Sequence, residues 1–403
     1  MGSKVVRVGD IATINSSQYS PKEKWSHIQY LDTGSVTKGS ISDLQQLDPA
    51  VDKIPSRARR KVFDKSIVYS MVRPNQEHYA FLDNPPTDML VSTGFSVIDA
   101  KTELVSPGYL YYSLTTAEAT EHFQSLAEQC VSTYPTLGVG DLSAYEIVLP
   151  SLDIQRAIER ILGDLDDKIK LNSQLNDYLA EMLLAKYDQL FGPFSEEKCN
   201  GTLADLGEVV GGATPSKKKE EYYCRHGIGW ITPRDLSNTT DLFIAHGADD
   251  ISQAGYDSCS AKLMPKGSVL FSSRAPIGYL AIAADEVTTN QGFKSVVPKP
   301  EIGTAFVYCF LQRNKQRIAD MGAGTTFPEV SGKTMKGVEL ELPGLEKCAE
   351  LTAFAEPILA MIQSNECENR ELSSLRDALL PKLMSGEIDV SKVDLRQLNN
   401  HLA

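Results

Sequence analysis

Two stretches of the chain place an apolar residue at nearly every third or fourth position. The first stripe runs through Ile154, Ile158, Ile161, Leu165, Ile169, Asn172, Leu175, Leu179 and Met182. The second runs through Leu351, Phe354, Ile358, Ile362, Asn365, Asn369, Leu372 and Leu375. This near-heptad spacing predicts two long helices. The first should begin near Asp153 and end near Leu190, and the second should carry Pro357 in its first turns.

Each predicted helix has one apolar stripe, which would lie in water if the helix stood alone. The two stripes are similar, so each is the natural partner of the other, and an antiparallel coiled coil connects without a long return loop. Asn172 and Asn365 occupy equivalent positions in this seam. A buried asparagine there can fix the register, whereas the alternative is that both side chains simply reach solvent.

The chain also repeats itself, which indicates a pseudo-two-fold molecule. The segment 8–11 recurs as 206–209 and the segment 92–97 as 290–295, both at an offset of 198. Leu149-Pro150 recurs as Leu342-Pro343 at an offset of 193. Each copy is a domain followed by a helix.

Within each domain, short β-like runs and a helical stretch predict a mixed fold. The runs 66–69 and 267–271 favour strands, and the stretches 109–129 and 304–321 favour helices. The fold class is therefore α+β, with two tandem α/β domains separated by two long helices. The predicted domains are residues 1–150 and 193–343. The predicted long helices are residues 151–192 and 344–386, and residues 387–403 form a tail.

Composition narrows the class of protein. The 403 residues include 42% hydrophobic and 23% charged residues, with no run of 18 apolar residues and no apolar signal core at the N-terminus. Seven cysteines without a CxxC pair favour reduced thiols and a cytoplasmic location. The net charge is −13, but residues 200–343 carry 15 basic and 16 acidic side chains, so a local basic patch is compatible with the total.

Motifs for catalysis are weak. Asp83-Asn84-Pro85-Pro86-Thr87 resembles the base-holding motif of adenine methyltransferases, but Thr87 cannot stack on a base, so we expect a turn. Cys224 and His226 have no second pair at zinc spacing, and no HExxH or phosphate-binding GxxxxGK[ST] motif is present. We expect a chain without catalytic residues, metal or cofactor.

Basic side chains near turns are candidate contacts to DNA, with solvated basic loops as the alternative. Arg73 and Arg274 fall at related places in the two copies at a local offset of 201. The candidates are Arg57, Arg59, Arg60, Lys61, Arg73, Lys217, Lys218, Lys219, Arg234, Arg274 and Lys294.

The order of these features resembles the DNA-specificity subunit of type I restriction–modification systems. Thr133-Tyr134-Pro135 and Thr325-Thr326-Phe327-Pro328 are similar to the loop before each conserved region, and residues 147–155 to the opening of that region. Cys348 stands where the second copy would carry the equivalent of Gln155. The ending at 379–388 is very similar to the family's C-terminus. The resemblance covers roughly residues 5–390.

This resemblance implies two target-recognition domains that each read one half of an asymmetric, bipartite site in double-stranded DNA. It implies that the helices set the spacing and dock two methyltransferase subunits, which would bind S-adenosylmethionine, and that endonuclease–translocase subunits join them. The alternative is a non-catalytic scaffold with two ligand-binding domains and no base readout. A third reading, a methyltransferase in its own right, would require binding of S-adenosylmethionine by this chain.

Overall fold

The computed structural model describes residues 4–129, 135–324 and 328–390, which form two compact units. The first unit contains Met1–Lys168 and Leu372–Ala403, and the second contains Ile169–Glu371. Two 40-residue helices, Leu152–Phe191 and Leu345–Met384, each contribute residues to both units. The predicted α+β class with two long helices is confirmed. The predictions at residues 133–134 and 325–327, and the tail from residue 391, lie outside the described residues.

The first unit combines short sheets with short helices. Its strands are Lys4–Arg7, Ala12–Ile14, Ile28–Leu31, Val36–Thr37, Ser40–Ile41, Gln45–Leu47, Ala58–Lys61, Ser66–Ser70, Tyr79–Leu82, Met89–Ser92, Phe95–Ala100 and Glu146–Leu149. Its shorter α-helices are Val8–Ile11, Pro107–Leu114, Ala117–Glu128 and Val139–Ala144. The predicted helix 109–129 is therefore two helices, because Thr116 leaves the helical conformation and its side chain caps the second one at Ala119.

The second unit repeats this plan. Its strands are Gly201–Thr202, Gly207–Gly211, Tyr223–Cys224, Gly229–Ile231, Phe243–Ile244, Asp250–Ile251, Val269–Phe271, Leu280–Ala283, Val287–Thr289, Lys294–Pro298 and Glu339–Leu340. Its shorter α-helices are Leu203–Leu206, Pro233–Ser237, Gln253–Asp257, Gly303–Asp320 and Gly332–Lys336. No helix among the described residues is both long and apolar enough to cross a bilayer.

Strand pairing defines which residues of the two copies are equivalent. Val6 pairs with Ile147, and Gly201 pairs with Leu340 in the same antiparallel arrangement. The one-turn helix Val8–Ile11 therefore corresponds to Leu203–Leu206, at an offset of 195. The predicted match of 8–11 with 206–209 was wrong, because the glycine shared by those two segments lies inside the helix in the first copy and at the start of a strand in the second.

Each unit builds its hydrophobic core on both long helices. In the first unit, Ile158, Ile161 and Leu162 join Leu383 and the helix Pro107–Leu114 in one cluster. In the second unit, Leu183 and Tyr187 join Leu351, Ile358 and the helix Gly303–Asp320. Apolar burial is the dominant favourable term in folding. The helix pair and the domain cores are therefore stabilised by the same contacts.

The contact between domain and helix differs between the copies at one position. Gln155 is buried, accepts a hydrogen bond from the amide of Ser106 at 2.9 Å, and donates one to the carbonyl of Pro150 at 2.8 Å. The equivalent residue Cys348 is also buried, and burial raises the pKa of its thiol to about 11. A neutral, apolar contact in the second copy thus replaces a polar link in the first.

Most predicted seam positions are buried or half-buried. Leu375 in the second helix is exposed, and the seam of the first helix is shifted by one residue at Leu175 and Met182. Buried seam residues are Ile158, Ile161, Leu165, Asn172, Leu351, Ile358, Ile362 and Leu372, and half-buried ones are Ile169, Leu179, Phe354 and Asn365. Leu175 and Met182 are 42% and 45% exposed, and their neighbours Asn176 and Leu183 face the partner helix. A helix of 3.6 residues per turn drifts from a strict heptad, which accounts for the shift.

Within the second unit, four asparagines form a polar layer between the antiparallel helices. Asn172 donates hydrogen bonds to Glu368 at 2.7 Å and to Asn369 at 3.0 Å. Asn365 donates one to Asn176 at 2.8 Å. The offset of 193 between the two copies relates Asn172 to Asn365 and Asn176 to Asn369. The contacts Asn172–Asn369 and Asn365–Asn176 are therefore equivalent, and the layer is two-fold symmetric. Asn172 is only 6% exposed, so the alternative in which this side chain reaches solvent is wrong.

The second helix starts earlier than its stripe suggests. It begins at Leu345, so Pro357 lies about three turns inside it rather than in its first turns. Pro357 is exposed. An exposed position limits the cost of an interior proline to its own missing hydrogen bond and local strain.

A buried carboxylate ties the second helix to the second domain. Glu366 is 3% exposed and accepts hydrogen bonds from the amides of Leu242 at 2.5 Å and Phe243 at 3.1 Å. Burial, followed by the nearby Asp241, raises its pKa to about 7, although the two amides and Arg370 oppose the shift. Arg370 in turn forms an ion pair with Asp241 at 2.9 Å.

We expect Asn172→Ala to destabilise the chain by about 1–3 kcal/mol, because it removes the two hydrogen bonds that the buried Asn172 amide donates to Glu368 and Asn369. Leu175→Ala, one turn away and exposed, should change stability by less than about 0.5 kcal/mol. Urea unfolding of the two variants measures the difference. Equal effects would show that the polar layer contributes nothing to pairing.

The pKa of Glu366 predicts a dependence of stability on pH. Its folded pKa of about 7 lies above its usual value of 4.5, so its stabilising contribution is complete below about pH 4.5 and is lost as pH rises through 7. From pH 5 to 8 this one group should lower the free energy of unfolding by on the order of 3 kcal/mol. Glu366→Gln should remove that part of the pH profile, whereas Glu371→Gln, exposed on the same helix, should retain it. Identical profiles for both variants would refute the assignment.

Candidate nucleic-acid interface

The same tight turn occurs in both units, directly after a buried strand. In the first unit, Ser92 accepts a hydrogen bond from the amide of Gly94 at 3.3 Å. In the second, Asn290 accepts one from the amide of Gly292 at 2.8 Å. A Cβ atom on either glycine would lie 2.9 Å from a neighbouring side chain, that of Thr33 or Pro233. A larger residue would therefore push the turn away from the segment beneath it.

Each turn lies where two parallel strands end together. Leu31 pairs with Val91 in the first unit, and Ile231 pairs with Thr289 in the second. The chain then enters the turn from one strand and a short helical segment from the other. Because both carboxyl ends meet here, side chains from two separate segments converge on one surface, as in many α/β binding sites.

A third segment is joined to each turn by the same backbone hydrogen bonds. The carbonyl of Gly94 accepts from the amide of Met71 at 2.9 Å, and that of Gly292 accepts from the amide of Ser273 at 2.7 Å. The carbonyls of Met71 and Ser273 then accept from Leu137 and Val330. This three-segment arrangement is called the turn frame below.

The turn frame corrects one predicted equivalence. Val72 bridges to Thr136 and Arg274 bridges to Glu329, so Arg274 corresponds to Val72 rather than to Arg73. Adjacent positions on an extended segment point in opposite directions. Arg73 is exposed and left-handed, with a φ of 49°, and its amide donates to the carbonyl of Pro135 at 3.0 Å. The two arginines are near the same frame but do not occupy matching places.

The basic run of the first unit lies beside its turn. Arg57 is exposed, and its carbonyl accepts from the amide of Thr93 at 2.9 Å. Arg60 donates to the carbonyl of Thr93 at 3.3 Å, and burial lowers the pKa of its guanidinium. Lys61 is paired with Glu23 and lies over the ring of Trp25. Arg59 donates to its own loop at Ser56. Arg57 is thus the member best placed to reach a ligand.

In the second unit, two candidates converge on one carboxylate. The Arg274 Nε lies 3.1 Å from Glu329, and the Lys294 Nζ lies 3.6 Å from it. Arg274 is half exposed, whereas the Lys294 side chain is 15% exposed. The group carries a net positive charge, and the shared carboxylate restricts both cations. Arg274 can therefore present its remaining donors outward.

The other candidates of the second unit are exposed. Arg234 lies on the short helix Pro233–Ser237, next to the turn at Gly292. Lys217 and Lys218 lie in the loop after the strand Gly207–Gly211. Lys219 follows them and lies 2.9 Å from the hydroxyl of Tyr222.

Two residues of this candidate interface were not predicted from the sequence. Gln291 is exposed at the tip of the second turn, and the hydroxyl of Thr214 donates to its amide oxygen. Glu329 holds Arg274 and Lys294. The sequence repeat could have identified Gln291 as a candidate, because Gln291 is an amide residue inside the repeated segment. Nothing in the local sequence marks Glu329, whose partners lie 55 and 35 residues earlier.

The weak catalytic motifs have structural roles. Asn84 adopts a left-handed φ of 48°, and its amide donates to Asp64 at 2.9 Å, so the segment 83–87 is a turn, as predicted. Cys224 lies in the strand Tyr223–Cys224. Within the described part of the chain, no group of three or more His, Cys, Asp or Glu residues could hold a metal ion.

Sequence comparisons with known proteins all identify the same family. A family model for the type I restriction modification DNA specificity domain matches the chain twice, over residues 2–181 and 196–372. The HindI type I restriction enzyme specificity subunit of Haemophilus influenzae is 25% identical, covering 96% of this chain and 99% of that protein. The MjaIX specificity subunit of Methanocaldococcus jannaschii is 38% identical over 176 residues, which is 43% of this chain and 40% of that protein.

A solved structure shares the fold. The S subunit of a type I restriction-modification system from M. genitalium aligns over 95% of this chain and 96% of its own length, with a TM-score of 0.57 and 14% sequence identity. At this identity the likeness concerns the fold alone.

Proposed function

Because the chain belongs to the type I restriction-modification DNA specificity family, we propose that it is the sequence-reading subunit of a type I restriction–modification complex. In this proposal it has no catalytic residues of its own. It binds double-stranded DNA, and its partners methylate adenine or cut the DNA. The six described cysteines are unpaired, which supports a cytoplasmic location.

The observation that carries the proposal is a turn frame built twice with different side chains. Backbone hydrogen bonds hold the frame, so it does not depend on the residues displayed around it. Base edges are read by side chains, whereas backbone and phosphate contacts set position. Two identical frames with different side chains suit two different half-sites. The DNA site should therefore be bipartite and asymmetric.

The first long helix offers a surface for the methyltransferase partners. Leu171, Leu175, Tyr178 and Met182 are 61%, 42%, 70% and 45% exposed, and their spacing of 4, 3 and 4 puts them on one face. This exposed stripe lies beside the seam, at about 100° from it around the helix axis. We propose that a methyltransferase subunit covers it with an apolar helix. Two methyltransferase subunits would supply S-adenosylmethionine, and endonuclease–translocase subunits would join the assembly.

Adenine methylation in cells that carry the whole system tests the function. We expect a split motif with two different halves, separated by several base pairs whose identity does not matter. Deletion of this chain should abolish methylation at that motif. A continuous or perfectly palindromic motif would contradict two unlike readers.

The competing scaffold hypothesis makes a different prediction. A scaffold with no base readout should leave the methylated sequence unchanged when the chain is replaced by a relative with different domains. A third possibility, methyltransferase activity of this chain alone, requires that the purified chain binds S-adenosylmethionine, and we expect no such binding.

The exposed stripe predicts where the methyltransferase binds. Tyr178→Lys should weaken co-purification of the methyltransferase at least tenfold, because it places a charge in an apolar contact. Asp177→Lys changes the charge more but lies about 100° further round the helix, so it should leave binding unchanged. Both positions are exposed, so urea unfolding should show stability within about 0.5 kcal/mol of the wild type. Equal binding by both variants would remove the stripe from the interface.

A further inference from the structure

The two turn frames differ most at two exposed positions. The parallel strand registers make Leu31 equivalent to Ile231, so Arg234 corresponds to Gly34 three residues later. Gln291 corresponds to Thr93 at the tip of the turn. All four residues are exposed. The second unit therefore presents a guanidinium and a carboxamide where the first unit presents a hydrogen atom and a short hydroxyl.

The surroundings hold the short helix that carries Arg234 and the side chain of Gln291. Thr232 caps the helix of Arg234, since its amide and hydroxyl donate to Asp235 at 2.7 and 2.6 Å. The amide of Ala248 donates to the other oxygen of Asp235 at 2.9 Å. Thr214 donates to the amide oxygen of Gln291 and so orients its carboxamide. A side chain presented from a fixed backbone loses less entropy on binding.

These two residue types match particular bases. An arginine reads guanine through paired donors to O6 and N7, and a glutamine reads adenine through one donor and one acceptor. Pro233, which precedes Arg234, would lie 2.9 Å from a Cβ on Gly292, which follows Gln291. The Pro233 ring therefore packs against the backbone of Gly292, and the side chains of Arg234 and Gln291 can reach neighbouring base pairs in one major groove.

Resting on the function proposed above, we propose that Arg234 and Gln291 determine the sequence read by the second unit. Arg234 reads a guanine and Gln291 reads an adenine within one or two base pairs of it. Arg274 and Lys294, restrained by Glu329, contact phosphate beside this site and carry no sequence preference.

Methylation mapping in cells carrying the whole system tests this assignment. Arg234→Ala should make one guanine position of the motif degenerate, and Gln291→Thr, which installs the first unit's residue, should do the same for one adenine position. Discrimination at each position should fall roughly 5- to 150-fold, as for loss of one bidentate contact. Both changes should fall in the same half of the motif, with the other half unchanged. Lys266→Ala is the control and should leave every position unchanged. Lys266 is an exposed charge that precedes the strand Val269–Phe271, whose other end leads to the turn frame at Ser273.

The outcomes separate this assignment from the general function. If the wild-type system gives no bipartite motif, the proposed function itself fails. If the wild-type motif is bipartite but both variants preserve every base of it, only the roles of Arg234 and Gln291 are refuted. A variant that methylates too weakly for mapping is measured as a purified complex on duplexes with single base changes, where an unaltered order of preference again refutes the assignment.

Discussion

The mutual burial of two apolar helix stripes is the constraint on which the rest of the structure depends. A 40-residue helix with one apolar face is not stable alone in water, and each of these helices covers part of the other. The remaining parts of both stripes enter the domain cores, through Ile158 and Leu383 in the first unit and Leu183 and Ile358 in the second. A shift in helix register would disturb both pairing and cores, and the crossed asparagine contacts disfavour such a shift.

The two units show how one fold can serve two recognition tasks. The turn frame is held by backbone–backbone bonds from the amides of Met71, Leu137 and their equivalents, so those bonds survive changes of side chain. The glycines are restricted by close approach, since a Cβ atom would meet Thr33 or Pro233. The positions around the frame have no such restriction. Sequence divergence after duplication can therefore change the side chains around the turn frame without disturbing the backbone of the frame.

Periodic features were predictable from the sequence, and long-range polar contacts were not. The long helices and the strands around Val68 and Val269 follow from local patterns, which need no tertiary information. The seam moved by one residue at Leu175 and Met182 because a helix of 3.6 residues per turn drifts from a strict heptad, and the exposed stripe beside the seam has the same spacing. The partnership of Arg274 with Glu329 depends on strand pairing between distant segments, so no local pattern reveals it. For the same reason, Arg73 and Arg274 could not be placed on their frames by alignment.

The first unit is built from two separate parts of the chain, so its two parts are synthesised at different times. Residues 169–371 of the second unit are contiguous, whereas the first unit needs residues 372–390 to cover Ile158 and Ile161. A ribosome makes the amino-terminal domain first, and Leu379, Leu380 and Leu383 from the second long helix complete the cover of its core later. The later-made domain can mature ahead of the earlier one. The nascent amino-terminal domain therefore keeps part of its core uncovered until residues 372–390 have been made, and a chain that stops before residue 372 lacks that cover.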